Sequence, residues 1–280
     1  MSLPSLEPLR RRCLQAALLA STLALASCVA TDAPKAADAA PAPVSFPGED
    51  TLAHDQYGEL VRQGYRIFTD TPHEARRFSG NVLSCSNCHL DAGRRPGAAP
   101  LAAAWGMYPA YQAKTDRVVT IEDRIQQCFR FSMNGLPPPL DSREVRALSA
   151  YAHWLARGTP VGVQQPGRGF VTVALTGTDP DPQRGKATFA QRCALCHGPQ
   201  GDGRPGGQGA RAFPPVWGFS SFNKGAGLNR QPLLAGFLKG NMPFGNANLT
   251  DQEALDLAAW IALQERWPDP RKGLLTGVLE

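Results

Sequence analysis

From Tyr57 onward, apolar and small residues recur three and four positions apart (Tyr57, Leu60, Val61, Gly64, Ile67, Phe68), the spacing that turns one side of a helix toward a core. The pattern returns at Gly185-x-x-x-Phe189, and two more helix-period stretches, Leu148-Ser-Ala-Tyr151 and Leu257-Ala-Ala-Trp260, each close a unit. Two related helical units in tandem are therefore expected. The beginning of the chain reads differently: Arg10-Arg11-Arg12 leads into an apolar run through Leu25 that ends on small residues. That is the layout of an export signal, too short to span a membrane. Residues 29–49 are Ala- and Pro-rich without periodicity and predict a flexible tether. Residues 158–180 mix Gly and Pro with a short alternation from Phe170 to Leu175 and predict a linker.

The expected organisation is a signal peptide of lipoprotein type at 1–27, a tether at 28–49, a first domain at 50–157, an irregular linker at 158–180, a second domain at 181–270 and a tail at 271–280. A chain of 280 residues has room for two domains of ordinary size. The formal charge of +5 falls to +3 once the leader departs with its three arginines and Glu7, a surplus too small to indicate a nucleic-acid partner.

Cysteine placement changes the picture most. Of seven cysteines, Cys13 lies in the leader, and Cys28 ends Leu25-Ala26-Ser27-Cys28, which resembles the bacterial lipobox. This reading is preferred over ordinary cleavage after Ala26. It predicts a periplasmic protein whose only membrane contact is a lipid on Cys28. Cys85-Ser-Asn-Cys88-His89 and Cys193-Ala-Leu-Cys196-His197 each match the c-type haem attachment pattern, in which two thiols bond the porphyrin and the histidine ligates iron. Two copies in a duplicated, exported chain argue against redox dithiols or zinc ligands. The fold class expected is mostly α: two class I-like cytochrome c domains in tandem, joined by an irregular linker, with two covalently attached haem c groups.

Each iron needs a sixth ligand or an open position. Met242, 45 residues after His197 in Gly240-Asn-Met-Pro243, is a soft thioether suited to the second. Met242 lies 18 residues before Trp260, and the same offset from Tyr151 falls on Met133, so repeat register points to Met133 for the first. Cys128 competes, because it is the one cysteine left unassigned and a thiolate is the stronger donor. Thr120-Ile-Glu-Asp123 reads as a capped helix start, with Gly135 as a possible end. On an α-helix between them, Arg124, Cys128 and Ser132 share a face, setting a cation and a hydroxyl beside the sulfur. Lys114, Arg117 and Arg130 are balanced locally by Asp116, Glu122 and Asp123, and His54, His73 and His153 carry no spacing signal.

From about residue 54 to 268 the chain resembles the di-haem c-type thiosulfate dehydrogenases. The resemblance rests on both haem motifs and on Thr120-Ile-Glu-Asp-Arg-Ile-x-x-Cys-Phe-x-x-Ser-Met-Asn-Gly135, with Phe213-Pro-Pro-x-Trp-Gly218, Ser221-Phe-Asn-x-Gly-Ala-Gly227 and Asn241-Met-Pro243 in support. It implies His89 and Cys128 on the first iron, Arg124 and Ser132 beside the substrate, and His197 and Met242 on the second iron. A second basic residue of the family's site, usually arginine, falls at Lys114, with Arg117 as a rival. Some members have a ligand-switching lysine before the second methionine; Asn241 stands there, which implies plain His/Met ligation. The resemblance thus favours Cys128 where register favours Met133, which is left as a spare ligand. The implied reaction joins two thiosulfates into tetrathionate, in a direction left open, with electrons passing to a soluble periplasmic acceptor cytochrome. Two other classes stay open: a membrane-tethered di-haem electron carrier without substrate chemistry, and a sulfur-oxidation subunit acting on a protein-bound substrate.

Overall fold

The computed structural model describes residues 48–113, 115–204 and 213–272. The leader, Cys13, Cys28, all but the end of the tether, Lys114 and the tail from residue 273 lie outside the described residues.

In the first unit, helix α1 (Gln56–Thr69) starts where the Asp55 carboxylate accepts the Gly58 N–H at 2.7 Å. Helix α2 (Ile121–Gln127) carries the expected capping box, Thr120 with Asp123, and helix α3 (Arg143–Leu155) is capped by Ser142. A small antiparallel hairpin, β1 (Ala110–Gln112) with β2 (Arg117–Val119), precedes α2 and pairs Tyr111 with Val118. The second unit contains α4 (Pro182–Arg192), α5 (Gln231–Asn241) and α6 (Asp251–Ala262). Its entry devices are Asp181 followed by Pro182 at α4 and a Thr250/Glu253 capping box at α6.

The two units repeat one crossing. α1 meets α3 at Gly64, where an added Cβ would lie 2.7 Å from both the Ala147 carbonyl carbon and the Tyr151 Cβ. α4 meets α6 at Gly185, where it would lie 2.6 Å from the Asp256 carbonyl carbon and 2.9 Å from the Trp260 Cβ. Glycine at each crossing lets two backbones approach, and an aromatic of the partner helix, Tyr151 or Trp260, stands at the contact. Val61, Ile67, Phe68, Leu148, Tyr151 and Trp154 fill the first core, and Phe189, Leu234, Leu238, Leu257 and Ile261 fill the second. Each large apolar side chain buried in this way contributes about 1.5–3 kcal/mol relative to exposure.

The units are not independent beads. Phe222, Ala226, Leu228 and Phe237 of the second half pack into the first core. Asn223 N donates to Phe131 O at 3.1 Å and its Nδ2 to Arg130 O at 2.9 Å, while Asn134 Nδ2 donates to Ser221 O at 2.6 Å. Ser221–Asn223 therefore clamps the segment that follows α2.

That segment departs from the expected α-helix. α2 stops at Gln127, and Cys128–Ser132 form a π-helical turn closed by Met133 N donating to Cys128 O at 3.0 Å. Met133 caps the turn, and the left-handed residue that follows is Asn134, at φ 50°, rather than Gly135. Gly135 has a packing role instead: a Cβ there would lie 2.7 Å from the Phe78 carbonyl carbon.

Candidate active site

The first Cys-x-x-Cys-His motif winds through a short 3-10 turn (Cys85–Asn87), with the Asn87 side chain accepting the Ser84 N–H at 2.7 Å. His89 Nδ1 lies 2.6 Å from Ala99 O. Donation to that carbonyl fixes the tautomer and leaves Nε2 as a lone-pair donor, the usual arrangement of a metal-bound histidine. Cys85, Cys88 and His89 line a cavity of about 420 Å³ whose walls include Phe68, Leu101, Ile125 and Leu148. Burial pushes both thiols up to about 12, with Thr71 opposing it at Cys85 through a 3.4 Å contact. Surroundings that favour neutral sulfur, two thiols three residues apart and an oriented imidazole suit a thioether-bound haem c.

The facing wall is formed by the α2 segment: Arg124, Cys128, Ser132 and Met133 line the same cavity. In a continuous α-helix, positions five apart point roughly 140° apart. The π turn makes five residues little more than one turn, so both sulfur side chains, Cys128 and Met133, line one cavity. The competition between them that the sequence raises is thus present in space. Arg124 is held firmly charged, pushed up first by Cys128, against burial, and then by the Tyr108 hydroxyl to which it is hydrogen-bonded. Burial raises the Tyr108 hydroxyl in turn, opposed by Arg124 and by Arg168.

Of the two candidates for a second cation, Lys114 lies outside the described residues, and Arg117 pairs with Asp123 at 3.5 Å on the surface. Arg117 is not among the cavity's lining residues. Sequence reasoning passed over Tyr108 and Arg168, both of which do line it. Neither sits in a motif, and Arg168 falls in the Gly- and Pro-rich linker.

At the second motif, Cys193 caps the end of α4, and Ala194–His197 make one helical turn. His197 Nδ1 lies 2.8 Å from Pro214 O, and burial holds its pKa low, partly offset by that carbonyl. Burial pushes the Cys193 thiol up to about 11, opposed by Arg192. Met242 follows α5 directly, its N–H donating to Leu238 O at 2.9 Å, and packs against both cores. Phe189, Trp217 and Trp260 cluster in tilted and edge-to-face contacts, with centroids 4.8–4.9 Å apart. The same chemistry of two thiols and an oriented imidazole fits a second haem c.

The two sites share a support. Asn241, fully buried, donates from Nδ2 to Phe237 O at 3.0 Å and to Gly97 O of the first unit at 3.1 Å. Gly97 N and Ala99 N donate to Gly167 O and Gly169 O of the linker at 2.8 and 2.7 Å. The carbonyl that orients His89 therefore belongs to a segment pinned both by the linker and by the residue preceding Met242.

Comparison with known proteins agrees with this arrangement. A family model described as "SoxA/TsdA, cytochrome c domain" matches residues 75–161, and one described as "Cytochrome C oxidase, cbb3-type, subunit III" matches residues 180–261. A thiosulfate dehydrogenase of Stutzerimonas stutzeri is 45% identical over 84% of this chain and 76% of its own. One from Thiomonas intermedia is 43% identical over 88% of this chain and 81% of its own. Among solved structures, thiosulfate dehydrogenase (TsdBA) from Marichromatium purpuratum in its "as isolated" form superposes with a TM-score of 0.77 at 42% identity over 81% of this chain. The present chain spans half the length of that one. The expected fold class holds, a mostly helical chain with two cytochrome c domains, and with such identity over most of its length the chain belongs to the thiosulfate dehydrogenase family.

Proposed function

We propose that the protein is a thiosulfate dehydrogenase that joins two thiosulfates into tetrathionate, releases two electrons, and can run in the opposite direction. The observation that carries this reading is the convergence of Cys128, Arg124 and Ser132 on the cavity lined by the first haem motif. Cys85 and Cys88 would bind one haem c with His89 and Cys128 as axial ligands, and Cys193 and Cys196 a second with His197 and Met242. When bound, the two haems supply sinks for the electrons, the thiolate-ligated one lower in potential than the thioether-ligated one.

The chain's own groups handle the sulfur. The Cys128 thiolate forms an S–S bond to the sulfane sulfur of one thiosulfate as two electrons leave, giving a cysteine S-thiosulfonate. A second thiosulfate attacks the same sulfane sulfur, tetrathionate departs, and the Cys128 thiolate is restored. Arg124 offers a planar pair of donors to a sulfonate, and Ser132 adds a hydroxyl on the same wall. Lys114 is proposed as a further cation on the resemblance alone. Positive charge held in place before reaction offsets the repulsion between two dianions.

The electrons would pass to a soluble periplasmic acceptor cytochrome. The protein would be exported and tethered by a lipid on Cys28, the haem domains spanning 50–157 and 181–270 with 158–180 between them. Among the described residues no helix is long and apolar enough to cross a membrane.

A second reading is favoured by Met133 in the same cavity: a tethered di-haem carrier in which Met133 ligates the first iron and Cys128 only packs. Anaerobic thiosulfate added to the oxidised holoprotein separates the two. An enzyme bleaches toward the reduced spectrum and loses this response on Cys128→Gly; a carrier stays oxidised whichever residue is present.

A further inference from the structure

Joining two thiosulfates at one sulfur atom requires a second dianion to approach while the first is held. Arg124 lies inside the cavity beside Cys128 and is suited to the first. Arg124 alone does not offset the three negative charges of an S-thiosulfonate and an arriving thiosulfate; Lys114 lies outside the described residues, and Arg117 is engaged by Asp123. The linker contributes another cation. Gly167 O and Gly169 O accept from Gly97 N and Ala99 N, and Phe170 forms an antiparallel bridge with Ala98. Arg168 is thus fixed at the backbone on both sides, against the strand-like segment that orients His89. Its side chain lines the cavity of Cys128 while remaining exposed to solvent. Among the described residues its guanidinium has no ion-pair partner. Tyr108 lies within the electrostatic reach of both arginines.

We propose that Arg168 receives the second thiosulfate, holding its sulfonate at the cavity mouth so that its sulfane sulfur can attack the adduct on Cys128. This rests on the thiosulfate-coupling reading and adds a division of labour to it. Arg124, half-buried in the cavity wall, serves the anion that becomes covalently attached; Arg168, exposed, serves the one that arrives and leaves as part of tetrathionate. A rigid backbone under a solvent-reaching guanidinium gives fast capture without a long search of loop conformations. The linker, which joins the two domains, thereby becomes part of the substrate site.

The test compares Arg168→Gln and Arg168→Lys with the parent holoprotein in three measurements. Steady-state oxidation at varied thiosulfate reads KM and kcat. Mass spectrometry after one equivalent of thiosulfate is added anaerobically reads the S-thiosulfonate on Cys128. Redox titration reads both haem potentials. Arg168→Gln is expected to raise KM for thiosulfate about ten- to hundredfold, the range for losing one charged hydrogen bond, with kcat falling far less. It should form the Cys128 adduct as the parent does and release it more slowly on a second addition of thiosulfate. Arg168→Lys should recover part of the KM loss, and neither variant should move the potentials.

An unchanged KM in Arg168→Gln overturns the proposal. So does loss of the first adduct, or a shifted potential with KM intact, which would make Arg168 a partner of the porphyrin carboxylates. A parent protein that neither forms the adduct nor oxidises thiosulfate overturns the coupling reading itself, a result distinct from a failure at Arg168 alone.

Discussion

Replacing Gly64 by alanine tests the crossing of α1 and α3 by the sign of its effect. In a helix interior free of neighbours, alanine is favoured over glycine by about 1 kcal/mol. Here the new methyl would lie 2.7 Å from the Ala147 carbonyl carbon and 2.7 Å from the Tyr151 Cβ, with Ala147 O nearer still. Ordinary carbon contacts fall at about 3.5–4.0 Å, so the helices must part by about 1 Å. The obstacle is backbone, which cannot rotate away, so the cost falls toward the upper part of the overpacking range of about 1–3 kcal/mol. Subtracting the propensity gain leaves a net loss of about 1–2 kcal/mol. For a chain of this size that lowers the melting temperature by several degrees.

Thermal and urea unfolding of the holoprotein, followed by circular dichroism, would measure it. Gly185→Ala should behave alike, since its methyl meets the Asp256 carbonyl carbon at 2.6 Å. Gly227→Ala is the control, with nothing within 4 Å of the added carbon, and should be neutral or slightly stabilising. A Gly64→Ala protein as stable as its parent would refute the crossing geometry.

Two further outcomes follow from buried polar groups. Burial tends to raise the Asp256 carboxyl, yet hydrogen bonds from Arg184, the Asp181 N–H and Gln252 outweigh it and hold the pKa below its ordinary value. A depressed carboxyl stabilises the folded state above its unfolded pKa of about 3.9, and that contribution is lost as pH falls through the lower folded value. Melting temperature should therefore fall below about pH 4 more steeply in the parent than in Asp256→Asn. Asn241→Leu leaves Gly97 O without the Asn241 donor and should cost about 1–3 kcal/mol. Amide exchange should quicken at residues 97–99 as well as in α5; faster exchange in α5 alone would contradict the shared support.

The haem motifs and the paired helices were legible because each is carried by short, fixed spacings within one segment; the repeated glycines showed there too, but the helix crossings they allow did not. The capping box at Thr120 was equally local. The π turn was not. Shifting the ladder leaves Arg130 O, Phe131 O and Ser132 O to be satisfied from outside, and Asn223 and Asn81 do so. Asn223 belongs to the other unit, so no reading confined to residues 120–135 could foresee the turn. The expectation of an α-helix still kept Arg124, Cys128 and Ser132 together, because positions four apart stay near one face in either winding. It separated Cys128 from Met133, which the π turn brings to one cavity. Arg168 was hidden for another reason. Its place depends on backbone hydrogen bonds between the linker and residues 97–99, and Gly- and Pro-rich sequence carries no periodic signal of such pairing.

The assignment on which the proposed chemistry rests most heavily is sulfur ligation at the first iron, and near-infrared magnetic circular dichroism of the oxidised holoprotein reads it directly. Charge-transfer bands for one His/thiolate centre and one His/thioether centre are expected, with the thiolate band absent from Cys128→Gly. Two thioether bands, or a bis-histidine band in place of the thiolate, would contradict the placement of Cys128 on the iron and leave an electron carrier in its stead.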